Sequence, residues 1–306
     1  MKIAYVAKHD MPDNDDEGAI AHSFEELGHQ VVRISEACGR NVARERGVDL
    51  LLFHKWDDWP FLRSYFDAPK AFWYFDLVGT GGDTSLTSRS RHRRVWMDRM
   101  IPAVDVGFMT DGDFVKADPS GKLVVLRQGA DGRIVGRGTP RRCKKCCEPI
   151  DEALALFVGS EKGCGIKRLG FVEHARRAFG KEFRHIARGV YRTKLADAIA
   201  ESSFVLAPDF PVTDDYWSNR VYVSLGFGAC MLHPYASGLA HEYRGGFEIL
   251  YYHDLQDMTS QIHKLRSDWG KRMAISEGAL TATIGRHLYR HRVISLLATL
   301  KERRLL

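Results

Sequence analysis

Residues 218–233 read SNRVYVSLGFGACMLH, an arginine at the head of a short amphipathic run that ends in a glycine-punctuated apolar burst. Ser218 and Asn219 are residue types that cap helices, so the sequence predicts a helix opening at Arg220. A cation is disfavoured there, because the helix dipole already presents positive charge. An anion held jointly by the backbone amides, the dipole and a bidentate guanidinium removes the conflict. Pairing of Arg220 with Asp214 or Asp215 is the alternative, and the pattern favours the anion.

A second anion-binding pattern lies in FVGSEKGCGIKR, residues 157–168. Glycines after an apolar run let backbone amides approach an anion closely. Lys167 and Arg168 then stand where a diphosphate is clamped, or else they are two exposed cations on a surface turn. Proton-transfer groups cluster at two other junctions. His9 and Asp10 follow the first apolar run, with Asp13, Asp15, Asp16 and Glu17 close behind, and Asp76 follows another run. A His or Asp at such a place takes a proton from a hydroxyl within hydrogen-bond reach. Loop solubility for the acidic run and an Asx-type turn for Asp76 are the plainer readings. GTGGD (79–83) lacks G-x-G-x-x-G spacing and reads as a flexible loop. Cys143-x-x-Cys146-Cys147 has the spacing of half a zinc site, no second C-x-x-C or H-x-x-H completes it, Cys164 is the candidate to join it, and no metal is expected.

The elements that must position these groups alternate in the α/β manner. KIAYVA (2–7), QVVRIS (30–35), VDLLLFHK (48–55), KAFWYFD (70–76), VGFMTD (106–111) and KLVVLRQ (122–128) predict a sheet of about six strands. Ile20, Phe24 and Leu27 share a helical face that Gly28 ends. Residues 129–151 are rich in Gly, Pro and charge and read as a linker. The second half repeats the alternation: strands at ALALFVGS, FRHIARG, SFVLAP, ACMLHP and EILYYH, with helices between them. A long basic helix over about 277–303 closes the chain. The fold class expected is α/β: two Rossmann-like domains facing a central cleft, over 1–140 and 151–285, with a C-terminal helix at 286–306 crossing back to the first.

At 306 residues and 44% hydrophobic composition the chain suits two soluble domains, and no apolar run approaches a membrane span. The opening residues do not form a signal peptide, so a cytoplasmic location is expected. The net charge of +6 is uneven, with Arg89, Arg91, Arg93 and Arg94 in one dense spot and 141–148 in another. Such patches favour polyanions such as nucleic acid, a membrane surface or nucleotide phosphate, or else they are solvated faces.

Three ordered motifs, R-V-Y-x-S-L-G-F-G-A-C-M-L-H, GLAHEYRGGFEILYYHDLQDM and H-L-Y-R-H-R-V, make the second half resemble the spore-maturation type of glycosyltransferase, a family 1-like group with the GT-B fold. That group shows S-N-R, a glycine-ended helix, a buried strand and a late H-x-Y-x-x-R. These fall here on Ser218, Asn219 and Arg220, on Gly228, on ACMLH, and on His287, Tyr289 and Arg292. The likeness covers roughly 153–300. The first half shares only a strand-loop-helix opening with LGHQV and the QGAD turn (128–131).

The resemblance implies a nucleotide-sugar donor, a UDP-sugar, on the C-terminal domain and an acceptor on the N-terminal one. Arg220 and its neighbours Tyr216, Ser218 and Asn219 would meet the donor, helped by Lys167 and Arg168, with Tyr191 near the base. Relatives carry a Glu three residues after this Arg; here Val223 stands there, and Glu242 is the candidate substitute. With the diphosphate held by cations, no divalent metal and no further cofactor are required. Asp10 or His9 is the expected base, with Asp76 third. The acceptor expected is a hydroxymethylated pyrimidine in duplex DNA, as for GT-B enzymes of some phages, gripped by Arg89, Arg91, Arg93 and Arg94. A surface glycan, a protein or a small molecule competes with it. Val223 also keeps open a nucleotide- or DNA-binding module without turnover.

Overall fold

The computed structural model describes residues 1–9, 16–79, 88–138, 152–160, 166–209 and 212–306, with backbone alone at 88–90 and 166–167. The chain divides into two compact units, 1–129 with 289–306, and 130–288.

In the first unit six short apolar runs form strands β1 (Lys2–Ala7), β2 (Gln30–Ser35), β3 (Leu50–Phe53), β4 (Lys70–Tyr74), β5 (Val106–Met109) and β6 (Leu123–Val125). All pair in parallel, in the order β2-β1-β3-β4-β5-β6. Parallel pairing forces crossovers over the sheet faces, so both faces are buried. Along β1, Ile3, Tyr5 and Ala7 pack on one side with Ile20 and Phe24 of α1 (Asp16–Glu26). Ala4 and Val6 pack on the other with Leu62 of α2 (Trp59–Ser64) and with Met97 and Met100 of α3 (Ser88–Met100). Phe114 of α4 (Gly112–Ala117) completes that side. Gly28 takes φ +80°, a conformation that a Cβ disfavours, and turns the chain from α1 into β2.

In the second unit β7 (Ala153–Val158), β8 (Phe183–Ile186), β9 (Ser202–Leu206), β10 (Met231–Pro234) and β11 (Leu250–Tyr252) make a parallel sheet ordered β11-β10-β9-β7-β8. The connecting helices are α5 (Ile166–Phe179), α6 (Arg192–Ala200), α7 (Arg220–Gly226), α8 (Ser237–Glu242), α9 (Leu255–Leu265) and α10 (Trp269–Arg286). A Schellman turn ends α7: Ala229 N–H donates to Ser224 O and Gly228 N–H to Leu225 O, with Gly228 at φ +81°. The glycine on which the helix-ending motif falls is therefore favoured by backbone geometry.

Each sheet begins with its first strand beside its second, then turns back to add the third on the other side. This doubly wound order in both units is the expected fold class.

Two expectations change. Residues 130–138 are packed rather than linking. Ala130 and Ile134 lie in the second core, and Gly136 N–H donates to Gly226 O. The stretch lacks periodicity because it is a series of turns pressed on α7. The closing basic helix is broken in two. His287 leaves helical geometry (φ −128°, ψ 21°) and, with Leu288, lines up along Ala130, whose N–H donates to His287 O. The last helix, α11 (Tyr289–Glu302), then buries Tyr289, Val293, Leu296 and Leu300 in the first unit, beside α1. It is the helix expected to cross back.

Gly107 of β5 tests the packing of the first unit. A Cβ there would overlap the Phe72 ring and lie 2.6 Å from Leu123 Cδ2. Gly107→Ala is expected to lower the stability of that unit by about 1–3 kcal/mol in urea unfolding.

Candidate functional site

Ligands of open parallel sheets bind beyond the carboxyl ends of the strands, where the strand order turns back. In the second sheet that point lies between β7 and β9. Gly159 and Ser160 leave β7 there, Ala207 to Asp209 leave β9, and Arg220 comes in at the head of α7. The Arg220 guanidinium lies over the Phe157 ring, 5.5 Å from its centroid, and Nη1 is 3.7 Å from Asp209 Oδ1. Phe157 also stacks on His185 at 5.1 Å, and His185 Nε2 bonds Gly159 O. A Cβ at Gly159 would sit 2.9 Å from Arg220 Nη2 and 3.0 Å from the Phe157 ring, so this glycine admits the guanidinium. From the start of α5, Arg168 Nη1 donates to Ser160 O at 3.4 Å. Two of the cations predicted to hold an anion thus meet one turn at the end of β7.

A carboxylate absent from the predicted alternatives, Asp209, lies beside Arg220. Asp214 instead accepts from Ser237 Oγ at 3.0 Å at the start of α8. Asp209 is buried and receives Ser218 N–H and Ser218 Oγ at 3.0 Å each, and His233 Nε2 at 3.1 Å. Burial opposes its ionisation, but His233, Arg220 and Ser218 outweigh that and hold the carboxyl well below the usual range. Ser218 therefore serves Asp209. Asn219 occupies the N-cap with helical backbone angles and makes no side-chain cap bond, so the capping predicted for this pair is not made.

The other predicted donor residues are more dispersed. Lys167 lies in α5 with its side chain outside the described residues, as do Gly163, Cys164 and Gly165. Tyr191 is 45% exposed ahead of α6, and Tyr216 closes a small turn with Thr213. Glu242 accepts from the Tyr222 hydroxyl at 2.6 Å, and that hydroxyl accepts Trp217 Nε1 at 2.8 Å. His287 Nδ1 lies 3.5 Å from the same carboxylate, and its ring packs on Tyr243. Val223, where relatives carry a Glu, packs against the core. In the late motif, Tyr289 is buried in the first unit and Arg292 Nε donates to Gln128 O of the QGAD turn.

In the first sheet the order turns back between β1 and β3. His9 follows β1, and its Nε2 donates to Tyr5 O at 3.0 Å. Asp10, Asp13 and Asp15 lie outside the described residues, while Asp16 and Glu17 open α1. Asp76 meets Lys55 Nζ at 2.6 Å and Arg93 Nη2 at 3.4 Å, and Arg93 Nη1 donates to Leu77 O. Burial opposes its charge, yet Lys55 and Arg93 prevail and lower its pKa. A carboxylate pinned by two cations is a weak proton acceptor.

Between these sits His54, at the end of β3 and absent from the predicted set. It is 6% exposed, and its Nδ1 donates to Trp73 O at 2.7 Å. Burial first, and the Lys55 charge second, lower its pKa to about 4, so the ring is neutral near pH 7. With Nδ1 protonated, Nε2 carries the lone pair. Its position at the end of a predicted strand was the available signal.

The basic patch is divided by the fold. Arg91 is exposed, Arg93 turns to Asp76, and Arg94 lies over Phe114 at 5.9 Å. Arg89 is described by its backbone alone, and Cys143, Cys146 and Cys147 lie outside the described residues, as does most of GTGGD. Among the described residues no His, Cys, Asp or Glu cluster is placed to hold a metal ion, and no helix is long and apolar enough to cross a membrane.

Residues 158–298 match the family described as glycosyl transferase-like. No curated protein sequence matches the chain. Among solved structures, the chain is similar to sucrose-phosphate synthase from Thermosynechococcus elongatus, at TM-score 0.68 and 11% identity over 100% of this chain and 99% of that one. It is similar to Anabaena HepE in complex with UDP and glucose, at TM-score 0.64 and 12% identity over 99% and 100%. An alpha-glucosyltransferase in complex with UDP and a 13-mer DNA gives TM-score 0.68 and 11% identity over 100% and 99%. The two parallel-sheet domains thus have the GT-B fold.

His54 makes a pH prediction. Its folded pKa lies below the unfolded value, so its contribution is complete above about pH 6.5 and is lost as the pH falls towards 4. Relative to His54→Gln, wild-type stability is expected to fall by about 3 kcal/mol over that window. Urea unfolding across pH checks this, and parallel curves for the two proteins would contradict it.

Proposed function

We propose that this chain is a glycosyltransferase of the spore-maturation type that moves a sugar from a UDP-sugar to an acceptor hydroxyl. The observation that carries the reading is Arg220, set at the turn-back point of the second sheet inside the stretch that matches the glycosyl transferase-like family. The UDP complexes of structures with the same fold support the choice of donor.

In the transfer, the bond from the anomeric carbon to the diphosphate oxygen breaks and a bond to the acceptor oxygen forms. Negative charge grows on the departing UDP, and Arg220 with Arg168 neutralises it. The acceptor hydroxyl passes its proton to a base of the first unit. His9 and Asp10 are the candidates, and Asp76, engaged by Lys55 and Arg93, comes third. Arg220→Ala is expected to lower kcat/KM for UDP-sugar turnover at least ~100-fold, with the thermal unfolding profile retained. UDP-sugar turnover undiminished in the variant would remove Arg220 from the donor site.

For the acceptor we favour duplex DNA with hydroxymethylated pyrimidines. The support is the DNA complex of a protein with the same fold and the exposed Arg91 on α3. Arg91 would contact phosphate together with Arg89 and Arg94, and Arg93 is committed to Asp76. Duplex binding is then expected to weaken steeply with salt, with Arg91→Ala reducing the log–log slope by about 1. Absent or salt-insensitive binding directs the search to a glycan, protein or small-molecule acceptor.

A further inference from the structure

Asp209 poses a problem for a site that binds a diphosphate. A carboxylate 3.7 Å from the anion-binding guanidinium repels the ligand and weakens its attraction to Arg220. Simple electrostatics therefore says that removing its charge should tighten binding.

The surroundings of the carboxylate argue for another role. Its two oxygens take three hydrogen bonds from two segments, the loop before α7 and strand β10. Ser218 supplies both a backbone N–H and a hydroxyl, one to each oxygen. His233 is 1% exposed, and its ring nitrogens face Asp209 Oδ2 at 3.1 Å and Pro234 O at 2.6 Å. Both nitrogens thus lie within hydrogen-bond reach of fixed oxygen atoms, which hold the ring in place. The carboxylate cannot swing, because every direction it points is already bonded. Arg220 is bounded by Asp209 on Oδ1, by the Phe157 ring, and by the bare backbone of Gly159.

We infer that Asp209 is a positioning residue: held by Ser218 and His233, it fixes the Arg220 guanidinium in the orientation that receives the donor diphosphate. The inference rests on the reading of Arg220 as a diphosphate ligand. The cost in repulsion is offset by a guanidinium ordered before the ligand arrives.

UDP binding measured by calorimetry on the full chain tests this through a double-mutant cycle. Directly coupled residues shift equilibrium constants roughly 3- to 100-fold. Asp209→Asn is expected to weaken UDP binding by about tenfold on that scale, opposite to the electrostatic expectation. In an Arg220→Ala background the same change should have no effect, because Asp209 acts through Arg220. A merely structural role would weaken binding equally in both backgrounds. Ser218→Ala, which keeps the backbone bond and removes one donor, should weaken binding about threefold with the same dependence on Arg220, and it decides the matter if Asp209→Asn does not fold. Tighter or unchanged binding in Asp209→Asn, or equal losses with and without Arg220, overturns the inference alone. No UDP binding by the wild-type chain overturns the donor reading and the inference with it.

Discussion

A buried carboxylate that holds an arginine is the interaction on which the second unit's site depends. An unpaired buried charge is costly, so Asp209 requires donors, and the fold supplies them from β10 and from the loop before α7. That requirement ties together the ends of β9 and β10 and the start of α7. The Schellman turn at Gly228 then leads α7 into β10, the strand that carries His233. Sheet winding decides where this happens: with β7 and β9 adjacent, the turns after both strands end at one place. Any anion drawn to that place meets Arg220 and Arg168 from helices and the Gly159–Ser160 turn from the sheet.

The first unit solves a similar electrostatic problem differently. Asp76 is neutralised by Lys55 and Arg93, and His54 is kept uncharged by burial beside Lys55. The outcome at the end of β3 and β4 is one neutral imidazole of fixed tautomer and one ionised, paired carboxylate. Both groups are thus held in their deprotonated forms near pH 7, the ring by burial and the carboxylate by its cations.

The central strands were legible in the sequence because parallel strands covered on both faces read as apolar runs, whereas the edge strands β2 and β8 are only partly buried. Arg220 was legible because a cation at a helix start violates a local rule. Asp209 was not. It is a single acidic residue in LAPDFPV, and its meaning comes from β9 lying beside β10, which brings it to His233. The break at His287 was hidden for the same reason, since the residue that pairs there, Ala130, is distant in sequence. Composition also merged Arg91, Arg93 and Arg94 into one patch, whereas helical rotation points them to solvent, to Asp76 and to Phe114. Local chemistry predicts elements, and long-range pairing assigns partners.

The most direct test of the account is a crystal structure of the full chain with UDP. The β-phosphate oxygens are expected within about 3 Å of the Arg220 guanidinium, beside the Gly159–Ser160 turn, with Asp209 still bonded to Ser218 and His233. UDP bound with its diphosphate away from Arg220, or Arg220 turned from Asp209 in the complex, would contradict it.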